Sequence, residues 1–298
     1  MNNEKPCEGM ASSSTTTVPM NRKEFYNDLI NGNLVDEDDS DDDYNPDEDD
    51  AMIDDSEGYE SNEDEYQQLQ KKNKKKFYRK GEDHWNTQKP IIHDMVGGND
   101  IHDFDIRVST EFIKSLKLNH KKQYSLDVGA GIGRLSQYLL KDYKVRDLVD
   151  RSSLFLSAAK KAMPENTHGS YIESSLENLI AHPELLGNHY QMIWIQYVLM
   201  YLLDDDLVNL LEILGQHLTE DGVLVIRESC CPSSHRLLFD EEDSSTTRSD
   251  GEWKRIFAKV NSIKLVKEKI QKMPDHYFPG KYYAFRVRSR TNRTLPIQ

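Results

Sequence analysis

The pattern of apolar positions changes character once along the chain. Up to about residue 84, large apolar side chains are sparse and charges come in runs. Beyond it, helical and strand-like spacings alternate. Phe112, Ile113 and Leu116 predict a helix over Ser109–Leu116. Tyr124–Val128 reads as a first strand, and Ile132–Leu140 as a helix with Leu135, Leu139 and Leu140 on one face. Val145–Val149 predicts a second strand that ends at Asp150. Leu154–Met163 follows as a helix and Gly169–Ile172 as a short strand. Tyr190–Tyr197 is strongly strand-like around Ile193, Trp194 and Ile195. Asp204–His217 carries a helical stripe of Leu207, Leu210, Leu211 and Leu214, with Asp204 to Asp206 suited to its N-terminus. Asp221 and Gly222 turn the chain into strand Val223–Arg227. Asp250–Lys259 is a predicted helix, and Lys264–Ile270 with Tyr282–Arg288 a terminal hairpin.

Strands alternating with helices predict parallel βα units in one doubly wound α/β sheet. In such sheets ligands bind beyond the carboxyl ends of strands, near the switch point. That directs attention to Asp127–Gly133, Asp150, Leu176–Glu177, Gln196–Tyr197 and Arg227–Ser229.

The run from Leu126 to Arg134 reads LDVGAGIGR. A strand ends in three glycines alternating with small residues, the place for a tight turn and close ligand approach. The dinucleotide fingerprint needs a third small residue where this chain has Arg134. The glycines fall instead at 129, 131 and 133. With an acid two residues ahead of them, the pattern resembles motif I of S-adenosylmethionine (SAM) methyltransferases.

Charge divides the chain further. Residues 1–70 hold 22 acids and 3 bases, a net of −19, while the rest holds 30 acids and 35 bases, a net of +5. So acidic a segment is expected to be disordered, either as a solubilising tail or as a contact for basic partners. The basic run from Lys71 to Lys80 makes residues 71–83 a predicted linker. It reads as a nuclear localisation signal, a nucleic-acid patch or a solvated flank. The further divisions are a helical segment over 84–118, the main domain over 119–288 and a short tail over 289–298. Three cysteines, Cys7, Cys230 and Cys231, give no disulfide framework. No apolar run reaches the roughly 18 residues of a membrane span. No signal peptide is read, so a reducing compartment, cytoplasmic or nuclear, is expected. No Cys/His cluster has metal-ligand spacing.

Several residues could carry chemistry. Asp150, ending the second strand, could accept both ribose hydroxyl protons of an adenosine, or be a surface acid at a turn. Arg134 could pair with a cofactor carboxylate or be solvated on its helix. Gln196 ends a buried strand and must find partners, from a cofactor or a loop. Asp240, Glu241, Glu242 and Asp243 lie in the loop before the next helix. They read as a solvated turn, or as carboxylates that receive an amine and take its proton. An α-amine has a pKa of about 7.7–8.0 and needs little help to lose it.

Five segments carry a specific resemblance: DVGAGIGR at Asp127–Arg134, IWIQYV at Ile193–Val198, DGVLVIRE at Asp221–Glu228, FDEEDSSTTRSDGEWKRIF at Phe239–Phe257, and the end at Pro274–Arg286. They resemble the eukaryotic protein α-N-terminal methyltransferases, which methylate proteins beginning Xaa-Pro-Lys. His84-Trp85 and Asp94-Met95-Val96-Gly97-Gly98 are similar to that family's N-terminal lid. The resemblance implies a Rossmann-like class I SAM methyltransferase: a mostly parallel seven-stranded sheet with a terminal antiparallel hairpin. It implies SAM as cofactor, held by Gly129, Gly131, Arg134, Asp150, Leu176 and Gln196. Glu177 falls where the family has Gln and would act through its backbone. Asp240 and Asp243 match acids of the substrate channel, Asp243 being the expected contact or base for the amine.

The substrate side departs more. Tyr197 stands where the family has Trp, and Tyr201 where it has His. Ser229 replaces an Asn that holds the substrate's first residues; Asn99 and Phe278 each replace a Tyr. Expected partners are protein N-termini, ribosomal or histone-like basic proteins among them; no membrane association or direct nucleic-acid binding is expected. Two alternatives stay open: a different amine acceptor, and a catalytically idle SAM-binding adaptor with an acidic recruitment tail.

Overall fold

The computed structural model describes residues 63–96, 99–273 and 277–288. The acidic stretch before residue 63 and the tail over 289–298 lie outside the described residues. The described residues begin with four helices: α1 (Glu63–Lys72), α2 (Lys74–Asn86), α3 (Ile92–Val96) and α4 (Asn99–Ser115). Then come β1 (Tyr124–Val128), β2 (Val145–Asp150), α5 (Ser153–Ala162), β3 (Tyr171–Glu173) and α6 (Leu176–Ala181). They are followed by β4 (Tyr190–Gln196), α7 (Asp204–Gln216), β5 (Leu218–Ser229), β6 (Leu237–Asp240) and β7 (Ser245–Arg248). The described residues end with α8 (Asp250–Phe257), β8 (Ile263–Gln271) and β9 (Gly280–Val287).

Seven of the described strands form one sheet in the order β3-β2-β1-β4-β5-β9-β8. The first five in that order run parallel, and β9 lies antiparallel between β5 and β8. The expected α/β sheet with its terminal hairpin is therefore present. From β1 the chain winds outward to β3, then returns to place β4 on the other side of β1. That reversal is the switch point. Register fixes what meets there: Val128 lies opposite Val149 and Ile195, and Gln196 opposite Arg227.

Burial on both faces explains the near-continuous apolar strands. Alternation then splits β4 between two cores. Ile193 and Ile195 join the Leu207, Leu210, Leu211 and Leu214 stripe of α7. Met192 and Trp194 pack with Val108 and Phe112 of α4 and with Tyr282 of β9.

Three expectations need correction. Residues 132–140 form a chain of turns rather than a regular helix. Gly131 and Gly133 hold φ of +54° and +71°, so the backbone is left-handed where the first helical turn would start. The acidic segment after Phe239 is not a plain loop. It is the tip of the β6–β7 hairpin, with Asp240 opposite Ser245 and Ser244 turned to φ +56°.

The third correction concerns residues 63–83, expected as the end of a disordered tail and a basic linker. They are α1 and most of α2. The acids that dominate this region sit in the first turn of α1 and its lysines in the last, as the helix dipole prefers. Tyr66, Leu69 and Phe77 bury against Leu203, Leu237 and Phe239. Lys74 of the basic run pairs with Asp206 at 2.5 Å. Phe77 stacks on Phe239 with ring centroids 6.1 Å apart and meets Tyr66 edge-on. Removing so buried a ring leaves a cavity. Phe77→Ala is expected to cost about 3–5 kcal/mol in urea-induced unfolding. An unchanged midpoint would mean that α2 does not belong to the folded unit.

Candidate active site

A cavity of about 1080 Å³, its open mouth included, lies at the carboxyl ends of β1, β2 and β4. One wall is the glycine loop, with Gly129, Gly131 and Arg134. Asp150 and Leu176–Glu177 make the second wall, and Gln196–Val198 with Tyr201 the third. Phe77, Tyr78, Trp85 and Met95 close over it from the N-terminal helices. Trp85 stands edge-on to both Tyr201 and Phe155, at 5.7 and 6.3 Å.

The loop is built from its glycines. At Gly129, φ is +73°, and an added Cβ would sit 2.6 Å from the Val198 side chain. Gly131 turns its N–H to Asp150 Oδ2 at 2.8 Å, and Ser152 donates its own to Oδ1 at 2.9 Å. Burial raises the Asp150 carboxyl above its usual range, against those amides. Asp127, two residues before the first glycine, accepts a hydrogen bond from the Ser136 hydroxyl. Burial pushes its pKa up to about 6.

Arg134 and Gln196 meet on a residue that sequence reasoning missed. Asp105 of α4 accepts from Arg134 Nη2 at 2.8 Å and from Gln196 Nε2 at 3.1 Å, and pairs with Arg227. The signal for it was present: Ile101, Asp105, Val108 and Phe112 share one helical face, and all four are buried. A lone acid on such a stripe must have partners.

The substrate-side predictions separate. Tyr197 lines the cavity; its φ is +56°, and the Arg227 guanidinium lies 5.2 Å from its ring centroid. Tyr201 also lines the cavity and donates its hydroxyl to Asp243 Oδ2 at 3.0 Å. Asp243 is buried behind that phenol, its Oδ1 accepting from the Ser245 N–H at 2.9 Å. Asp240 does not line the cavity, because its Oδ1 turns back to the Glu242 N–H and braces the hairpin tip. Ser229 does not line it either: it is paired with Gly280 at the end of β5.

One buried acid holds this wall in shape. Glu228 accepts the Val198 and Leu199 N–H groups at 3.0 and 2.8 Å, fixing the turn that presents Tyr197 and Tyr201.

A glycine cradle at the switch point, an acid ending β2 and antiparallel β9 inserted beside β5 define a class I SAM-dependent methyltransferase. The family is more particular. The model of the AdoMet dependent proline di-methyltransferase family matches residues 73–286, and the chain belongs to that family. It is 35% identical over 216 residues to alpha N-terminal protein methyltransferase 1 of Schizosaccharomyces pombe, covering 70% of this chain and 95% of that protein. It is 29% identical to human N-terminal Xaa-Pro-Lys N-methyltransferase 1, covering 72% and 96% of the two. Among solved structures, a SAM-dependent methyltransferase from Leishmania major superposes with a TM-score of 0.64 at 35% identity, covering 70% of this chain and 83% of that one.

SAM is the cofactor of this enzyme class, and the residues present fit it. Arg134 Nη1 and Gln196 Oε1 are buried without a partner among the described residues. Both residues line the cavity. One offers a donor for a carboxylate and the other an acceptor for an ammonium, the two charges of an amino-acid end.

Glu228 gives the site a testable pH signature. Burial raises its pKa from the ordinary 4.5 to about 7. The folded state thus favours its protonated form. The corresponding stability is full below pH 4.5 and is lost as pH rises through about 7. Relative to Glu228→Gln, the wild type should lose on the order of 1–3 kcal/mol across that window. Denaturant titrations of both proteins across it check this; parallel curves would remove the acid's role.

Proposed function

We propose that this protein transfers the SAM methyl group to the free α-amine of proteins with Xaa-Pro-Lys-type N-termini. The observation that carries the proposal is the Tyr201–Asp243 pair. It sets a buried carboxylate behind a phenol on the wall of the cofactor cavity. The name of the S. pombe relative supports a protein α-N-terminus as acceptor, and that of the human relative an Xaa-Pro-Lys N-terminus.

In this reading Arg134 and Gln196 take the amino-acid end of SAM, and Asp150 the ribose hydroxyls. Gly129 and Gly131 let the backbone approach closely, Leu176 supplies apolar surface, and Glu177 contributes through its main chain. When bound, SAM supplies a methyl on a sulfonium, open to in-line attack by an amine. The protein's own part is to position that amine and remove its proton. Tyr201 already directs its hydroxyl proton to Asp243, so the oxygen presents lone pairs to an approaching ammonium. It can take a proton at Oη while passing its own to Asp243 Oδ2. Tyr197 and Trp85 flank the acceptor and exclude water. Asp240 and Ser229 act further out, Asp240 by holding the hairpin tip that carries Asp243. A net charge of −19 over residues 1–70 favours basic substrates, such as ribosomal or histone-like proteins.

The test is mass analysis of an Xaa-Pro-Lys peptide incubated with enzyme and SAM. Methyl groups are expected on the α-amine. Asp243→Asn should lower kcat by about 10²–10⁴-fold while SAM affinity stays within error. Tyr201→Phe should lower kcat and move the activity profile to higher pH, where the amine is already neutral. Methylation confined to the lysine side chain would overturn the α-amine assignment. Full activity in Asp243→Asn would overturn the proton path.

A further inference from the structure

Three elements far apart in sequence end on one carboxylate. Asp105 is wholly buried on α4. Its Oδ2 takes Arg134 Nη2 from the glycine loop and Gln196 Nε2 from the end of β4. Its Oδ1 takes Arg227 Nη1 from β5. Two guanidinium charges thus face one carboxylate, with the buried Asp127 also within reach of the Arg134 charge.

The two arginines differ in their remaining surroundings. Arg227 lies against the faces of Tyr197 and Tyr282, 5.2 and 5.0 Å from their centroids, where ring quadrupoles attract a cation. Among the described residues Arg134 has no such ring contact, and its Nη1 has no partner. Asp105 also decides which way the Gln196 amide faces. Because the NH₂ group is drawn to the carboxylate, Oε1 is left over as the acceptor. One acid therefore produces two things at once: a donor on Arg134 and an acceptor on Gln196.

We propose that Asp105 is the positioning residue for cofactor recognition: it aims Arg134 Nη1 and Gln196 Oε1 so that together they read the carboxylate and ammonium of the cofactor's amino-acid end. This rests on the reading of the cavity as the SAM site. Asp105 touches no reacting atom; it acts through its two partners. Without its charge the guanidinium loses its anchor, the amide is free to turn over, and the donor–acceptor pattern dissolves. The nucleoside end, held by Asp150 and Leu176, is not affected.

Two ligands separate this role from a structural one. S-adenosylhomocysteine carries the amino-acid end, and 5′-methylthioadenosine lacks it. Titration calorimetry on the full chain should show Asp105→Asn weakening S-adenosylhomocysteine about tenfold or more. Binding of 5′-methylthioadenosine should stay unchanged within error. Asp105→Glu keeps the charge but moves it by one methylene; it should show the same selective loss in smaller degree, and decides the matter if Asp105→Asn does not fold. Equal weakening of both ligands, or of neither, overturns the positioning role. Failure of the wild type to bind S-adenosylhomocysteine would instead overturn the cofactor reading beneath it.

Discussion

A charge is stable inside this protein only where something pairs with it, and the pairing around Asp105 is the one on which the cavity depends. An unpaired buried ion costs several kcal/mol, and breaking a buried pair typically costs about 3–5 kcal/mol. Arg134, Arg227 and Asp105 are all less than a tenth exposed. Both guanidinium groups are anchored on the one carboxylate. Their convergence requires the parallel register that sets Gln196 opposite Arg227. A slip of one residue would turn Gln196 to the other face of the sheet. α4 completes the arrangement by delivering the carboxylate from outside the sheet. The helix and the strand ends are thus mutually dependent, and the cofactor wall is their meeting surface.

Other buried acids show what the choice of partner does. Asp204 pairs with Arg248 at 2.8 Å and accepts from the Tyr66 hydroxyl at 2.7 Å. Although burial opposes it, the charges and donors around it hold its carboxyl below the ordinary range. Glu228 is held chiefly by two backbone amides and is raised instead. Asp243 accepts hydrogen bonds from the Tyr201 phenol and the Ser245 amide. A guanidinium commits a carboxylate to its charge, whereas neutral donors leave it able to take a proton.

How far the sequence revealed this differs between sheet and site. The strands β1, β2, β4 and β9 were legible because their apolar runs are long and bounded by acids or glycines. The glycine loop was legible because left-handed backbone demands glycine, so spacing alone separated it from a dinucleotide loop. The β6–β7 hairpin was not, because DEEDSS reads as a polar loop whichever turn it makes. α1 was hidden by averaging: three acids in its first turn joined the acidic count, although Tyr66 and Leu69 already mark a buried face. Ser229 and Asp240 resemble their counterparts in position along the chain. Strand pairing and a hydrogen bond to the Glu242 amide nevertheless turn them away from the cavity. No pattern within a single element shows that.

The N-terminal helices bear on the chemistry by the same pairing logic. The family match begins at residue 73, so α1 lies ahead of it. Yet Tyr66 of α1 bonds to Asp204 and receives a hydrogen bond from Arg248 at 2.9 Å. Arg248 sits on β7 opposite Leu237, in the hairpin whose tip carries Asp243. It also donates to the Leu202 carbonyl, one residue past the 3₁₀ turn that holds Tyr201. One guanidinium therefore ties α1, the hairpin and the Tyr201 turn into a single buried knot. Tyr201 and Asp243 sit on two of those elements, so the distance between them follows from how the knot packs. α1 contributes no group to the cavity, but it completes the pairing that keeps Arg248 in place. The Tyr201–Asp243 pair thus depends on a helix that lies outside the cavity lining.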